Sequence, residues 1–468
     1  MFYGSKKLSF LFRVIGRSIK ALWSRLALRR NRSRANNTLD LGSQVLDGEL
    51  DKKRVVLSET RRKEHIAVLG KTGTGKSSLL RSLCAQDISA GRGFVYFDLH
   101  GDATPFLLRR VAEEERRRRC DLSDRLIVID PSDPEWSVGL NILGGAKDDW
   151  LFVQIAEFTE LLKHRWQLDS LGPRTEELLR NSLYVLAENH LTLLELGPLL
   201  GDPSFRASCV KRVRNPEIKA YFETRYDTLS KGMQTVVREP ILNKTSAFTA
   251  DPRFRHIVGQ HKSTFSLQDA MKRECWVVLN LHKGRLGEEA VTLGSLFLSM
   301  IKNALFSRQD RELFTLYCDE IQNLVSYDSD LDTILSESRK FGISVISANQ
   351  FLDQYPPRMR AAILAVGTHA FFQLTSPDAH QIAAALDGGR PLAELLKNLP
   401  RRHMVVKSGT DRWQEVYVPR VEDTQVSYAN LYSRCRERWA RRRSHVEEEI
   451  LTRHVSLIEN TDALHGWK

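Results

Sequence analysis

The segment "GKTGTGKS", from Gly70 to Ser77, has the spacing of a loop that binds phosphate groups. Its glycines allow positive φ angles and close approach of the backbone, so that consecutive N–H groups can surround an anion. An apolar run precedes the loop and an amphipathic stretch follows it, which places the N-terminus of a helix beside the same anion. The pattern predicts a nucleoside triphosphate site made of Gly70, Lys71, Thr72, Gly73, Thr74, Gly75, Lys76, Ser77 and Ser78.

Two side chains of this loop have separate expected roles. Lys76 would reach the β- and γ-phosphates, and the Ser77 hydroxyl would bind a metal ion. A hydroxyl combined with carboxylate oxygens suits Mg²⁺. We therefore predict a magnesium-dependent site in which Lys76 contributes to binding and to catalysis.

A pair of acidic residues, Asp319 and Glu320, directly follows the apolar run Phe314–Cys318. In parallel sheets, ligands bind at the carboxyl ends of the strands, which is where this pair would lie. Nucleotide hydrolysis needs one carboxylate for the metal shell and another to orient the attacking water. Solvated Asp-Glu pairs are common on surfaces, but the apolar run favours a catalytic pair, with Asp319 at the metal and Glu320 at the water.

Two amides, Asn349 and Gln350, end the segment "SESRKFGISVISANQ", whose apolar part is Ile343–Ser347. If this part forms the strand next to Phe314–Cys318 and runs parallel to it, its carboxyl end also faces the nucleotide. The sequence then predicts that Gln350 or Asn349 reaches the γ-phosphate or the attacking water.

Two cations, Arg339 and Lys340, precede the same strand. They would lie at its opposite end, too distant to serve the same nucleotide. Residue types and spacing alone favour a cap on the carbonyl end of the preceding helix, Asp332–Ser338. In a closed head-to-tail ring, the same cations would instead reach the nucleotide of a neighbouring subunit.

Apolar runs of strand length alternate with helical stretches along the chain, which is typical of a parallel sheet with helices on both faces. Between the third and fourth strand candidates the pattern is helical over a long stretch. We therefore predict an α/β fold with an inserted all-α domain. The strand candidates are His65–Gly70, Phe94–Leu99, Arg125–Asp130, Trp276–Leu281, Phe314–Cys318, Ile343–Ser347, Ala370–Leu374 and His403–Lys407.

The predicted organisation has four parts. Residues 1–39 form a basic N-terminal segment, and residues 40–148 together with 252–420 form the nucleotide-binding domain. Residues 149–251 form the inserted all-α domain, and residues 421–468 form a charged C-terminal helical tail, within which residues 434–455 are expected to be one helix. Within the nucleotide-binding domain, the stretch from Asp40 to about Thr60 is interpreted as a polar lead-in to the first strand.

The net charge is +12, which favours a polyanionic partner or an anionic membrane surface. The six cysteines have no CxxC spacing and indicate reduced thiols in a cytoplasmic protein. No stretch approaches the roughly 18 to 20 apolar residues of a membrane span. Residues 8–28 alternate leucine and isoleucine with arginine and lysine at helical spacing, so they are either a peripheral membrane contact or a solvated basic tail.

These motifs together resemble the FtsK and HerA superfamily of ring ATPases, and within it the VirD4- and TraD-like coupling proteins of conjugation and type IV secretion. The resemblance is carried by the phosphate loop and by "FVYFDLHGD", "CDEIQNL", "ESRKFGISVISANQ", "LGPRTEELLRNSLYVL" and "VGTHAFFQLTSPDAHQIAAAL". It spans roughly residues 64–419. Coupling proteins of this branch usually begin with two membrane spans, whereas this chain begins with the basic amphipathic segment.

The resemblance implies a RecA-like P-loop NTPase fold, ATP and Mg²⁺ as cofactors, and a homo-hexamer that pumps DNA through its pore. It also implies that Gln350 senses the γ-phosphate and that Arg339, eleven positions earlier, acts in trans as an arginine finger. Arg358, Arg360 and Arg390 are the competing candidates for the finger.

Three functions are compatible with this pattern. The first is a DNA translocase in conjugative transfer, with a relaxase or secretion-channel proteins as partners. The second is a HerA-like DNA-processing translocase paired with a nuclease. The third is a nucleotide-gated adaptor with little turnover, against which the presence of both Glu320 and Gln350 argues, since a switch needs no complete hydrolytic set.

Overall fold

The computed structural model describes residues 38–144, 148–165, 172–306, 308, 311–324 and 330–453. The predicted basic N-terminal segment, residues 1–39, lies outside the described residues apart from residues 38 and 39. In the described part of the chain, no helix combines the length and the apolar character that crossing a bilayer requires.

In the described residues, thirteen strands form one large sheet and one short ribbon. All eight predicted strands are present, and the predicted α/β fold is confirmed. The strands are Leu39–Leu46 (β1), Glu49–Leu57 (β2), Ile66–Leu69 (β3), Phe94–Asp98 (β4), Leu126–Ile129 (β5), Trp136–Ser137 (β6), Trp276–Asn280 (β7), Phe314–Asp319 (β8), Ile343–Asn349 (β9), Thr368–Phe371 (β10), His403–Ser408 (β11), Gln414–Tyr417 (β12) and Arg441–Arg442 (β13).

The large sheet has the order β2-β1-β12-β11-β10-β3-β9-β8-β4-β7-β5. The strands from β10 to β5 in this order are all parallel, and the strands from β2 to β11 add an antiparallel edge. The register pairs Asp319 of β8 with Ala348 of β9, and Leu69 of β3 with Asn349. The carboxyl ends of these three strands therefore meet at one edge of the sheet.

Both faces of the parallel part are covered, so its strands are mostly apolar and their burial does not alternate. Ile66 and Val68 of β3 pack on one side, and Ala67 and Leu69 on the other. Every residue of β8 and β9 is buried. This is why continuous apolar runs in the sequence were sufficient to find the parallel strands.

The interpretation of residues 40–60 as a polar lead-in is wrong, because β1 and β2 form a hairpin there. Its two-residue loop, Asp47-Gly48, has positive φ at both positions, the conformation that Asp-Gly favours in tight hairpins. One face of this antiparallel edge is solvated, and Arg54 of β2 pairs with Asp40 of β1 at 2.7 Å. The polar composition hid strands whose outer side chains face water.

The helices lie on both faces of the sheet and in the long segment between β6 and β7. They are Glu59–Arg62 (α1), Lys76–Ala90 (α2), Ala103–Arg118 (α3), Asp148–Arg165 (α4), Pro173–Glu188 (α5), Leu196–Gly201 (α6), Pro203–Arg212 (α7), Pro216–Ala220 (α8), Lys231–Thr249 (α9), Pro252–Val258 (α10), Leu267–Lys272 (α11), Lys283–Leu286 (α12), Glu288–Phe306 (α13), Asp330–Glu337 (α14), Pro357–Leu364 (α15), Ser376–Ala385 (α16), Gly389–Asn398 (α17), Ala429–Trp439 (α18) and residues 443–453 (α19). Tyr221–Tyr226 is a π-helix, and the described residues from 148 to 258 contain no strand.

Residues 434–455 were expected to form one helix, and this prediction is wrong for the described residues 434–453. Helix α18 ends at Trp439, and Arg441–Arg442 then pairs with Trp136–Ser137 as a short antiparallel ribbon. The Arg442 guanidinium lies 4.3 Å from the centre of the Trp136 ring and pairs with Glu135 at 2.6 Å. Contacts with a distant part of the chain therefore interrupt a locally helical pattern.

A buried ionic cluster joins α2 to the sheet. The Asp87 carboxylate, fully buried in α2, accepts hydrogen bonds from Arg62 at 2.9 and 3.0 Å, from Arg92 at 2.6 Å and from the Tyr317 hydroxyl at 2.7 Å. Arg62 also donates to Thr315 of β8 at 3.0 Å. Since α2 follows the phosphate loop and β8 ends at Asp319, the cluster fixes one side of the site relative to the other.

We expect Asp87→Ala to lower the free energy of unfolding by about 3 to 5 kcal/mol, because it leaves two buried arginines without their carboxylate. Chemical denaturation, followed by a signal from the α/β core, measures the change. Asp269→Ala makes the same replacement at an exposed position and should cost less than about 1 kcal/mol. Equal losses in the two variants would contradict the central role of the cluster.

Candidate active site

The phosphate loop joins β3 to α2 as the sequence predicted. Gly73 and Gly75 have φ angles of 78° and 131°, which a side chain would strain. The Lys76 ammonium donates to the carbonyls of Gly70 at 2.6 Å and Lys71 at 3.1 Å, so it lies across the mouth of the loop. Burial lowers the pKa of Lys76, and the nearby carboxylates of Asp319 and Glu320 oppose this shift.

Residues that follow β10, the strand next to β3, pack against the phosphate loop. A Cβ added to Gly70 would lie 2.5 Å from the Cβ of Phe372, so only glycine fits there. The Lys71 amide donates to the Gln373 carbonyl at 2.9 Å, and the Arg402 amide donates to the Thr74 carbonyl at 2.7 Å. The sequence reasoning missed these supporting residues, because they lie in segments distant in the chain, after β10 and before β11.

The two predicted metal ligands meet at the start of α2. The Ser77 hydroxyl donates to the Asp319 carboxylate at 3.2 Å. Burial raises the pKa of Asp319, while His100, Ser77 and Lys76 lower it. Ser78 is half-buried in the same helical turn. A hydroxyl and a carboxylate side by side are hard oxygen donors, so the residues present suit a magnesium ion.

Glu320 and Gln350 lie side by side, as predicted for neighbouring parallel strands. The Gln350 amide nitrogen donates to a Glu320 carboxylate oxygen at 3.0 Å, and its amide oxygen accepts from the Thr72 hydroxyl at 3.0 Å. Asn323 donates to the other Glu320 oxygen at 3.2 Å. Glu320 itself has left-handed backbone angles, φ 58° and ψ 48°, which turn its side chain at the end of β8.

The other amide, Asn349, is buried and has a different role. It accepts from the Tyr355 hydroxyl and donates to Gln322. Of the two amides proposed from the sequence, Gln350 is therefore the one that contacts Glu320 and the phosphate loop.

His100 is a site residue that the sequence reasoning did not assign. Its Nε2 lies 3.4 Å from a Glu320 carboxylate oxygen. The Asp98 carboxylate shapes the turn that carries it, accepting from the Gly101 amide at 2.8 Å and the Thr104 amide at 2.7 Å. The "DLHGD" turn after β4 lies at the same sheet edge as Asp319, and this position was the signal that could have identified it.

The imidazole and the carboxylate shift each other in opposite directions. The hydrogen bond to Glu320 raises the pKa of His100 to about 9. The hydrogen bond from His100 lowers the pKa of Glu320. A pKa of about 9 favours the protonated imidazole at neutral pH.

Arg339 lies at the end of β9 opposite to Gln350, in the 3-10 turn Ser338–Phe341. Its guanidinium is 59% exposed and pairs with Glu64 at 3.1 Å. Among the competing arginines, Arg360 pairs with Asp353 at 2.9 Å, and Arg358 and Arg390 are exposed. The role of a finger in trans stays a prediction for all four.

The pKa of His100 can be tested by NMR titration of histidine-labelled protein, with the signal assigned through His100→Gln. We expect a value of about 9. Since the raised pKa belongs to the folded state, the pair stabilises the fold below about pH 6.5 and loses this contribution as the pH rises through about 9. In Glu320→Gln the value should fall towards 6.5, and a wild-type value near 6.5 would contradict the contact.

Comparison with known proteins was made on the sequence and on the fold. Residues 49–249 match the family model described as helicase HerA, central domain. No curated protein matches the chain.

Two solved coupling-protein structures and one VirB4 structure are similar in fold. The bacterial conjugative coupling protein TrwBdeltaN70 is 16% identical, with a TM-score of 0.55 over 86% of this chain and 93% of that chain. The plasmid coupling protein TrwB in complex with ADP and Mg²⁺ is 16% identical, with a TM-score of 0.56 over 84% and 98%. VirB4 of Thermoanaerobacter pseudethanolicus is 17% identical, with a TM-score of 0.52 over 82% and 96%.

The resemblance predicted from the motifs is thus confirmed at the level of fold. The chain has the P-loop fold seen in these coupling-protein and VirB4 structures.

Proposed function

We propose that the protein is a ring-forming ATPase that moves DNA, or a DNA–protein substrate, in a conjugative or type IV secretion-type transfer system. The observation that carries the proposal is the meeting of Ser77, Asp319, Glu320, Gln350 and Thr72 at one edge of the sheet. This set combines groups for holding a metal-bound nucleotide with groups for handling a water molecule. A protein that only bound nucleotide would not need the second group.

ATP with Mg²⁺ suits the loop and the carboxylates. The backbone amides of residues 71–77 would hold the phosphates, and Lys76 would leave its loop carbonyls for phosphate oxygens. Ser77 would bind the metal directly, and Asp319 would hold its shell. The ion, once bound, would neutralise charge on the phosphates.

Glu320 and Gln350 would act on the attacking water. The lowered pKa of Glu320 keeps its carboxylate ionised, so that it can accept a hydrogen bond from the attacking water and orient it. Gln350 touches both Glu320 and Thr72, so a γ-phosphate entering beside Thr72 would compete for its amide. In this way Gln350 would report the presence of the γ-phosphate to the catalytic carboxylate.

A homo-hexameric ring would bring Arg339 to the nucleotide of the neighbouring subunit. In favour of this, the guanidinium is exposed and lies at the end of β9 remote from its own phosphate loop. On assembly it would exchange Glu64 for phosphate oxygens. A positive charge supplied in this way stabilises charge that develops on the transferring phosphoryl group.

The net charge of +12 supports DNA as the track. A relaxase or secretion-channel proteins would be the further partners in a transfer system, and residues 8–28 would provide a peripheral membrane contact.

The match of residues 49–249 to the HerA central domain supports a second candidate, a DNA-processing translocase that works with a nuclease. Genes next to the one that encodes this chain distinguish the two, since transfer requires a relaxase and processing a nuclease.

We expect DNA to stimulate ATP hydrolysis, and Lys76→Ala and Glu320→Gln each to abolish it. Phosphate release, measured with and without DNA at low salt where DNA contacts are strongest, gives the rates. Lys63→Ala and Glu59→Gln make the same changes in a surface ion pair of 2.7 Å and should leave the rate unchanged. Turnover that DNA does not alter would contradict the translocase.

We expect Arg339→Ala to lower hydrolysis by about a thousandfold or more while ATP still binds. Mixing it with Lys76→Ala, which keeps the arginine but has a dead site, should restore part of the activity. Alanine variants of Arg358, Arg360 and Arg390 serve as comparisons. If no mixture recovers activity, Arg339 does not act in trans.

A further inference from the structure

Helix α4, the first helix after β6, ends beside the catalytic turn. Its last residue, Arg165, donates to the Asn323 carbonyl at 2.7 Å and to the Ser295 hydroxyl at 2.6 Å. Ser295, on α13, in turn donates to the Leu324 carbonyl at 2.7 Å. Arg165 and Ser295 therefore bind consecutive carbonyls of the turn that follows Glu320.

This turn holds the catalytic carboxylate. The Asn323 side chain donates to Glu320 at 3.2 Å, and the Asn323 backbone amide donates to the Glu320 carbonyl at 3.0 Å. Arg165 thus acts on Glu320 through one intermediate residue. The contacts form a continuous path from the helical segment to the carboxylate proposed to orient water.

The Arg165 guanidinium is partly buried, and its hydrogen bonds to described residues all go to neutral acceptors. Burial lowers its pKa, and the negative charge of Glu288 opposes this shift. Removing a cation from water costs free energy, and an apolar side chain could fill the same space without this cost. Stability alone therefore does not explain an arginine at this position. The Arg165 Nη2 donates to both acceptors at once, which fixes the turn in a way that an apolar residue would not.

We propose that Arg165 is a positioning residue that ties the helical segment to Glu320, so that the placement of α4 regulates ATP hydrolysis. The proposal rests on the proposed function of the site. When α4 is in the observed place, the Arg165 guanidinium holds Asn323 and thereby Glu320. When a load or ligand on the helical segment shifts the end of α4, the guanidinium leaves Asn323 and Glu320 loses its orientation.

The first test compares steady-state kinetics, with saturating DNA, of wild type, Arg165→Met and Arg165→Lys. We expect Arg165→Met to lower kcat about tenfold without changing the KM for ATP, and Arg165→Lys to recover part of the loss. The control is Lys163→Met on the same helix, where Lys163 pairs with Glu176 at 2.9 Å. It should leave kcat unchanged. An unchanged kcat in folded Arg165→Met, or an equal loss in Lys163→Met, would overturn the proposal, and Arg165→Gln provides the same test if Met prevents folding.

A double-mutant cycle with Asn323→Ala tests the path itself. If Arg165 acts through the Asn323 side chain, which Asn323→Ala removes while both backbone contacts remain, the double variant should lose no more kcat than the more impaired single variant. Losses that multiply would overturn this route.

Hydrogen–deuterium exchange of residues 320–324 supplies a readout that does not depend on turnover. Arg165→Met should accelerate exchange in this peptide, and Lys163→Met should not. Unchanged exchange would overturn the proposal even in an active enzyme. If Arg165→Met accelerates exchange but the wild-type protein does not hydrolyse ATP, the link is supported and the proposed function is contradicted. The two failures are therefore distinguishable.

Discussion

The parallel alignment of β3, β8 and β9 is the constraint on which the site depends. Because the three strands run the same way and in register, Ser77 meets Asp319 across 242 residues of sequence, and Gln350 meets Thr72 across 278. The Asp87 cluster keeps α2 against β8, so the phosphate loop and the acidic pair hold a fixed relation. A slip of one strand by a residue would move a catalytic side chain to the other face of the sheet.

The parallel part of the fold could be predicted from the sequence because burial on both faces leaves continuous apolar runs. The hairpin of β1 and β2 at the antiparallel edge could not, since its outer side chains are polar and the Asp47-Gly48 turn was overlooked. The break after Trp439 depends on pairing with Trp136, a contact more than three hundred residues away that no local pattern reveals.

The core of the candidate site followed from motif spacing, because each predicted group lies directly after a strand or within the phosphate loop. His100, Asn323 and Arg165 were missed for different physical reasons. His100 depends on a turn shaped by Asp98, Asn323 on a 3-10 turn, and Arg165 on the packing of a remote helix against α13. The turns of His100 and Asn323 are local, whereas the contacts of Arg165 are tertiary, and residue spacing along the chain contains no record of them.

The central claim is that the sheet edge forms one site for nucleotide, metal and water. The most direct measurement is a crystal structure of the protein with Mg²⁺ and a non-hydrolysable ATP analogue. We expect the triphosphate within the loop of residues 70–77, the metal bound by Ser77 with Asp319 in its shell, and Gln350 and Glu320 facing the γ-phosphate. A nucleotide bound elsewhere, or a γ-phosphate remote from both Glu320 and Gln350, would contradict the account.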